Sequence, residues 1–71
     1  MMKKGDVVTI RHQGRVYLAE VTEITSRTAH VRFTTSVPPI DNRRRRERVF
    51  SLSRFVEGFL PGAAYHIRGE R

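Results

Sequence analysis

Five of the six residues from Arg43 to Arg48 are arginine, the exception being Glu47. Each guanidinium is a planar, permanently charged fork of donors that matches the paired oxygens of phosphate or carboxylate. The run follows a turn signal at Pro38-Pro39 and lies between two segments that read as β-strands, which makes it a solvated loop. Nucleic-acid phosphates are the natural ligand of such a loop. Every arginine that neutralises one releases counterions and makes binding salt-dependent. Arg43, Arg44, Arg45, Arg46 and Arg48 are therefore the candidate binding residues. Arg32 and Arg54 extend the patch, as do Arg11 and Arg15 if they reach the same face.

No other chemistry is legible. His12, His30 and His66 lack local metal-ligand spacing and there is no cysteine to help them, so no metal or other cofactor is expected. Asp6 and Asp41 read as turn residues, while Glu20 and Glu23 stand three apart on a strand and so point to opposite faces. Without paired carboxylates, a Ser/His/Asp set or a glycine-rich phosphate loop, the chain does not read as an enzyme. Its rings are Tyr17, Phe33, Phe50, Phe55, Phe59 and Tyr65. Exposed rings stack unpaired bases, but a small core needs its large side chains. Phe33 and Phe50 are assigned to it, and Tyr17, Phe55, Phe59 and Tyr65 lean the same way. Alternatively, Phe59, Leu60 and Tyr65 form a self-association surface, which keeps a homo-oligomer open.

The totals narrow the setting. Seventy-one residues make one domain, 1–71, with a core over about 5–68 and a flexible arginine-rich loop over about 35–48. The formal net charge is +7, and twelve of the fourteen basic residues are arginine. A GC-rich genome would also favour arginine over lysine, but not its clustering. The absence of cysteine fits a reducing compartment. Met1-Met2-Lys3-Lys4 starts like a signal peptide, but the apolar stretch that should follow is missing. Nor does any segment approach the roughly 20 apolar residues of a membrane helix. A soluble cytoplasmic protein with no membrane partner is expected.

The elements that must position the loop follow from alternation. Gly5-Asp6 is a turn, and Val7 to Arg11 then places Val8 and Ile10 on one face. His12-Gln13-Gly14-Arg15 is a short connection in which Gly14 is free to take a positive φ. Val16 to Thr25 is a long strand, apolar on both alternating sets in its first half, as a sharply bent strand serving two halves of a small barrel would be. Ala29, Val31 and Phe33 face in, opposite His30, Arg32 and Thr34. Asp41-Asn42 adds turn chemistry within the loop, and Val49 to Leu52 resumes the strand. Ser51 or Ser53 caps a helical turn through Arg54 to Glu57, ended by Gly58. Ala63 to Arg68 alternates again.

The segments Gly5 to Ile10, Gly14 to Val21 and Val31-Arg32-Phe33 resemble the Tudor and wider SH3-like barrel pattern: a Gly-Asp start, an aromatic-x-Ala-x-Val strand and a Val-x-Phe strand. The likeness covers about residues 5–57, with the turn at Ser53-Arg54-Phe55 in the place of the family's 3-10 turn. It implies an all-β fold: a small five-stranded antiparallel barrel with one short 3-10 turn and a long basic loop. It also implies binding of methylated side chains, proline-rich peptides, RNA or DNA. Where methyl-reading members carry aromatic and acidic cage residues, this chain has Thr34-Thr35-Ser36-Val37. The start is also similar to the KOW motif, without its second and third glycines, and to plasmid-borne dihydrofolate reductase, without its pore motif.

The expectation is thus a small barrel that grips nucleic-acid backbone, DNA or RNA, with weak sequence preference, as an accessory factor of phage, plasmid or bacterial origin. The alternative is a protein-interaction module or inhibitor whose arginines dock on an acidic partner protein.

Overall fold

The alternation of Val8 and Ile10 with Thr9 and Arg11 is realised as strand β1 (Val7–His12), the first of six strands. The computed structural model describes residues 1–58 and 60–69. β1 turns into β2 (Arg15–Ile24) through Gln13 and Gly14, whose φ values of 51° and 81° are those a two-residue type I′ turn requires. β3 (Thr28–Phe33) and β4 (Glu47–Ser51) follow, then a 3-10 turn (Leu52–Arg54), β5 (Phe55–Glu57) and β6 (Tyr65–Ile67). All six form one sheet in the order β4-β3-β2-β1-β6-β5.

The all-β class is as the sequence implies, and four details are corrected. There are six strands, not five. The sheet is mixed, because β6 pairs with β1 in parallel, through Val8↔Tyr65, Thr9↔His66 and Ile10↔Ile67. It is also a curled half-barrel that keeps two edges, β4 and β5, instead of closing on itself. The helical turn begins earlier than expected. Ser51 caps it by accepting the Ser53 N–H, and Phe55 to Glu57 are strand.

One face of the curl is dry. Val8, Ile10, Tyr17, Ala19, Val21, Val31, Phe33, Phe50 and Ile67 form a single buried cluster. Cross-strand register explains why these residues meet: Val8↔Ala19, Ile10↔Tyr17, Ala19↔Phe33, Val21↔Val31 and Ala29↔Phe50 are directly opposed, so their side chains share a face. The outward apolar residues in the first half of β2, Val16 and Leu18, are exposed and serve no second half of a barrel, and the irregularity of the strand is a β-bulge in its second half. Register shifts between Val21 and Glu23, and the Thr22 hydroxyl donates to the His30 carbonyl at 3.3 Å. The extra residue lets Val21 and Ile24 both pack inward. It also places Glu23 opposite His30 as Glu20 is opposite Arg32, so the two glutamates share the outer face and do not point apart.

The opening between β4 and β5 is spanned by side chains. The Phe50 and Phe55 rings meet edge to face with centroids 6.5 Å apart. The Arg54 guanidinium lies over Phe50 at 5.0 Å and donates through Nε and Nη2 to the Arg68 carbonyl, at 2.9 and 2.7 Å. Arg68 reciprocates, its Nη2 donating to the Ser53 carbonyl at 2.9 Å and its backbone N–H to the Arg54 carbonyl at 2.8 Å. This clasp ties the 3-10 turn to the end of β6.

Candidate nucleic-acid interface

The arginine run sits in a connection whose apolar residues face the core. Pro38 is fully buried, and Val37 and Ile40 pack against the core cluster. From Phe33 the chain leaves β3, lays these residues across the open side of the curl, and turns back at Asp41-Asn42. Those two residues have φ of 56° and 59°, and the Arg43 N–H donates to the Ile40 carbonyl at 3.0 Å. This is a second turn with the φ signature of type I′, which Asp and Asn tolerate better than most residues. The loop expected over 35–48 thus forms a flap laid against the core, and its last two residues, Glu47 and Arg48, already belong to β4.

The arginines split by parity. Arg44 donates to the Val37 carbonyl at 3.3 Å, Arg46 to the Phe33 carbonyl at 2.7 Å and Arg48 to the Ile40 carbonyl at 3.1 Å. Arg48 also forms an ion pair with Asp41 at 3.3 Å, its side chain only 14% exposed. These three are struts, each bonding a flap or strand-end carbonyl. All four of Arg43 to Arg46 are exposed, but the guanidinium groups of Arg43 and Arg45 bond to no described residue. Together with Asp41, Glu47, Arg48 and Val49 they line a cleft of about 430 Å³. In an extended segment two such residues are offset by about 6.5 Å along one side, which suits successive anionic groups of a polymer.

The outlying candidates are elsewhere. Arg32 is exposed on the outer face, directly opposite Glu20 on one side and Glu47 on the other, so its neighbours offset its charge. Arg54 is committed to the clasp with Arg68 and to the Phe50 ring. Arg15 lies over Tyr17 at 5.6 Å, and Arg11 is exposed on β1 beside His66. Tyr17, Phe33 and Phe50 are buried and Phe55 and Tyr65 half-buried, whereas Phe59 lies outside the described residues. The histidines do not converge. His66 Nδ1 is 3.1 Å from the Thr9 hydroxyl, and no group of three metal-ligating side chains occurs among the described residues. No described helix is long and apolar enough to cross a membrane.

The committed role of Arg54 gives a direct test. Arg54→Ala removes two charge-assisted hydrogen bonds and a ring contact, and is expected to lower stability by about 1–3 kcal/mol. Urea unfolding followed by circular dichroism checks this. Polyanion binding by the folded variant, and its salt dependence, should be unchanged.

The fold and the cleft together define a small half-barrel carrying a basic flap. No protein-family model matches the chain, and no curated protein or solved structure matches it significantly.

Proposed function

We propose that this chain is a small SH3-like, Tudor-like nucleic-acid-binding module of the cytoplasm that grips phosphate backbone through its arginine flap. The observation that carries this reading is the outward pair Arg43 and Arg45, held on a flap whose neighbouring arginines, Arg44, Arg46 and Arg48, are tied to carbonyls. The flap backbone that carries the pair is held in place, which limits the freedom lost on binding, and a net charge of +7 steers the module toward polyanions. Among the described residues no element projects as a base-reading helix and the rings are largely buried. Contacts would therefore be to backbone, with weak sequence preference.

Fluorescence anisotropy of labelled duplex DNA, single-stranded DNA and RNA across a salt series tests the reading. Binding should weaken with salt at a log–log slope of about −0.9 per duplex phosphate neutralised. A flat salt response, or no binding at low salt, would overturn it.

A further inference from the structure

The same cleft borders a second feature that phosphate binding does not use. β4 is the last strand of the sheet. The Phe33 N–H donates to the Arg46 carbonyl and the Leu52 N–H to the Arg27 carbonyl, both at 2.8 Å. In an antiparallel ladder hydrogen-bonded residues alternate, so with Val31↔Arg48 and Ala29↔Phe50 in register it is the even-numbered residues of β4 that bond to β3. The backbone N–H and C=O groups of Glu47, Val49 and Ser51 therefore point away from the sheet. No described strand pairs with them. The strand contains no proline, and Val49 is 52% exposed. The edge lacks the proline and bulge that commonly block strand addition, though its charges remain.

The cleft straddles this edge. Glu47 and Val49 belong to the outer face, whereas Arg48 and its partner Asp41 lie on the inner side. Arg43 and Arg45 flank the opening. Asp41 is already paired with Arg48, and Glu47 stands opposite Arg32, so the charge left facing the edge is positive. We infer that β4 accepts an extended acidic peptide segment of a partner protein as an added strand, its backbone bonding Glu47, Val49 and Ser51 and its carboxylates meeting Arg43 and Arg45. The chemistry is that of strand addition, with main-chain bonds supplying affinity and flanking side chains specificity. A second copy of this chain is a poorer fit, because two +7 molecules would bring their arginine pairs together at the same edge.

Val49→Pro tests the strand, because its N–H faces outward and proline there removes no bond to β3. The probe is a fluorescein-labelled peptide alternating glutamate and valine, with lysine replacing glutamate in the control. Wild type should bind the acidic peptide and not the control. Val49→Pro should weaken peptide binding by about tenfold or more with its circular dichroism spectrum matching wild type, and Arg43→Ala with Arg45→Ala should weaken peptide binding as well. Peptide binding undiminished in Val49→Pro would show adhesion by charge alone and overturn the inference, as would failure to bind the acidic peptide.

Amide exchange in the wild type gives a second readout that needs no variant. The amides of Glu47, Val49 and Ser51 should gain protection when peptide is added, those of Arg48 and Phe50 being protected already. Protection of the outward amides in the free protein, with a dimer in sedimentation, would assign the edge to a second copy and also overturn the inference. Loss of DNA binding by wild type would count against the phosphate reading without touching this one.

Discussion

Replacing Arg43 and Arg45 together by alanine is expected to make the salt dependence of duplex binding shallower by about 1.8 log–log units, at −0.9 for each phosphate no longer neutralised. Affinity at moderate salt should fall by about two orders of magnitude, each charge-assisted hydrogen bond being worth about 1.5–3 kcal/mol. The expectation is sharp because these two side chains support nothing else. Their guanidinium groups bond to no described residue, so the fold should lose little, and thermal unfolding of the double variant should match wild type. Arg44→Ala with Arg46→Ala removes the same formal charge but cuts the flap's ties to the Val37 and Phe33 carbonyls. Two variants of equal charge should therefore differ: one loses binding with stability intact, the other loses stability as well. Equal salt slopes for wild type and the Arg43/Arg45 variant would remove these residues from the interface.

Phe33→Ala should have the largest effect on stability. Phe33 is 0% exposed and is the largest fully buried side chain of the core. Truncating such a ring costs about 3–5 kcal/mol, against a total of about 4–11 kcal/mol for a domain of this length. The same residue also anchors the flap. Its N–H donates to the Arg46 carbonyl and its carbonyl accepts from the Arg46 side chain. A shift of this backbone toward the hollowed site would slacken the flap that presents Arg43 and Arg45. The denaturant midpoint should fall steeply and polyanion affinity should fall with it, whereas Arg54→Ala lowers the midpoint alone. Unchanged affinity in a folded Phe33→Ala protein would show that the flap is held independently of the core.

Legibility in the sequence depends on segment length and on pairing. β1 to β4 announce themselves because each carries inward apolar residues at alternate positions or, for β4, a clear resumption of apolar β-formers after the loop. β6 is legible for the same reason, with Tyr65 and Ile67 alternating against His66. β5 is not. Three residues, Phe55 to Glu57, are too few to show a period, and the serines at 51 and 53 read as caps of a helical turn that takes them in. Ser51 is the cap, but the turn it starts ends at Arg54. The parallel pairing of β6 with β1 leaves no local trace, since register between distant segments is set by the assembled core. The bulge in β2 is signalled only by the interval from Val21 to Ile24, three residues between inward positions where alternation allows two or four.

The flap is harder to read, because its charge draws attention from its apolar residues. Val37, Pro38 and Ile40 lie just upstream of the arginines, and a loop that only solvates itself has no use for them. Parity within the run is also visible: Arg44, Arg46 and Arg48 are in phase with Phe50, which faces the core, and Arg43 and Arg45 with Val49, which does not. The commitment of Arg54 cannot be read from its neighbours, because its partner is the carbonyl of a residue fourteen positions away.

The place of β6 between β1 and β5 also sets an order of events. β1 is made first and carries one neighbour, β2, within a few residues; its other neighbour begins at Tyr65. Until that segment arrives, β1 is an open edge, β5 has no strand to pair with, and Ile67 is missing from the core cluster. The hairpins β1–β2 and β2–β3 can form early from local contacts, whereas the last strand must be threaded beside the first after a loop of more than fifty residues has closed. Topologies dominated by such distant pairings fold slowly, in about milliseconds to seconds. A ribosome making this chain would hold an incomplete sheet until Ile67 had emerged.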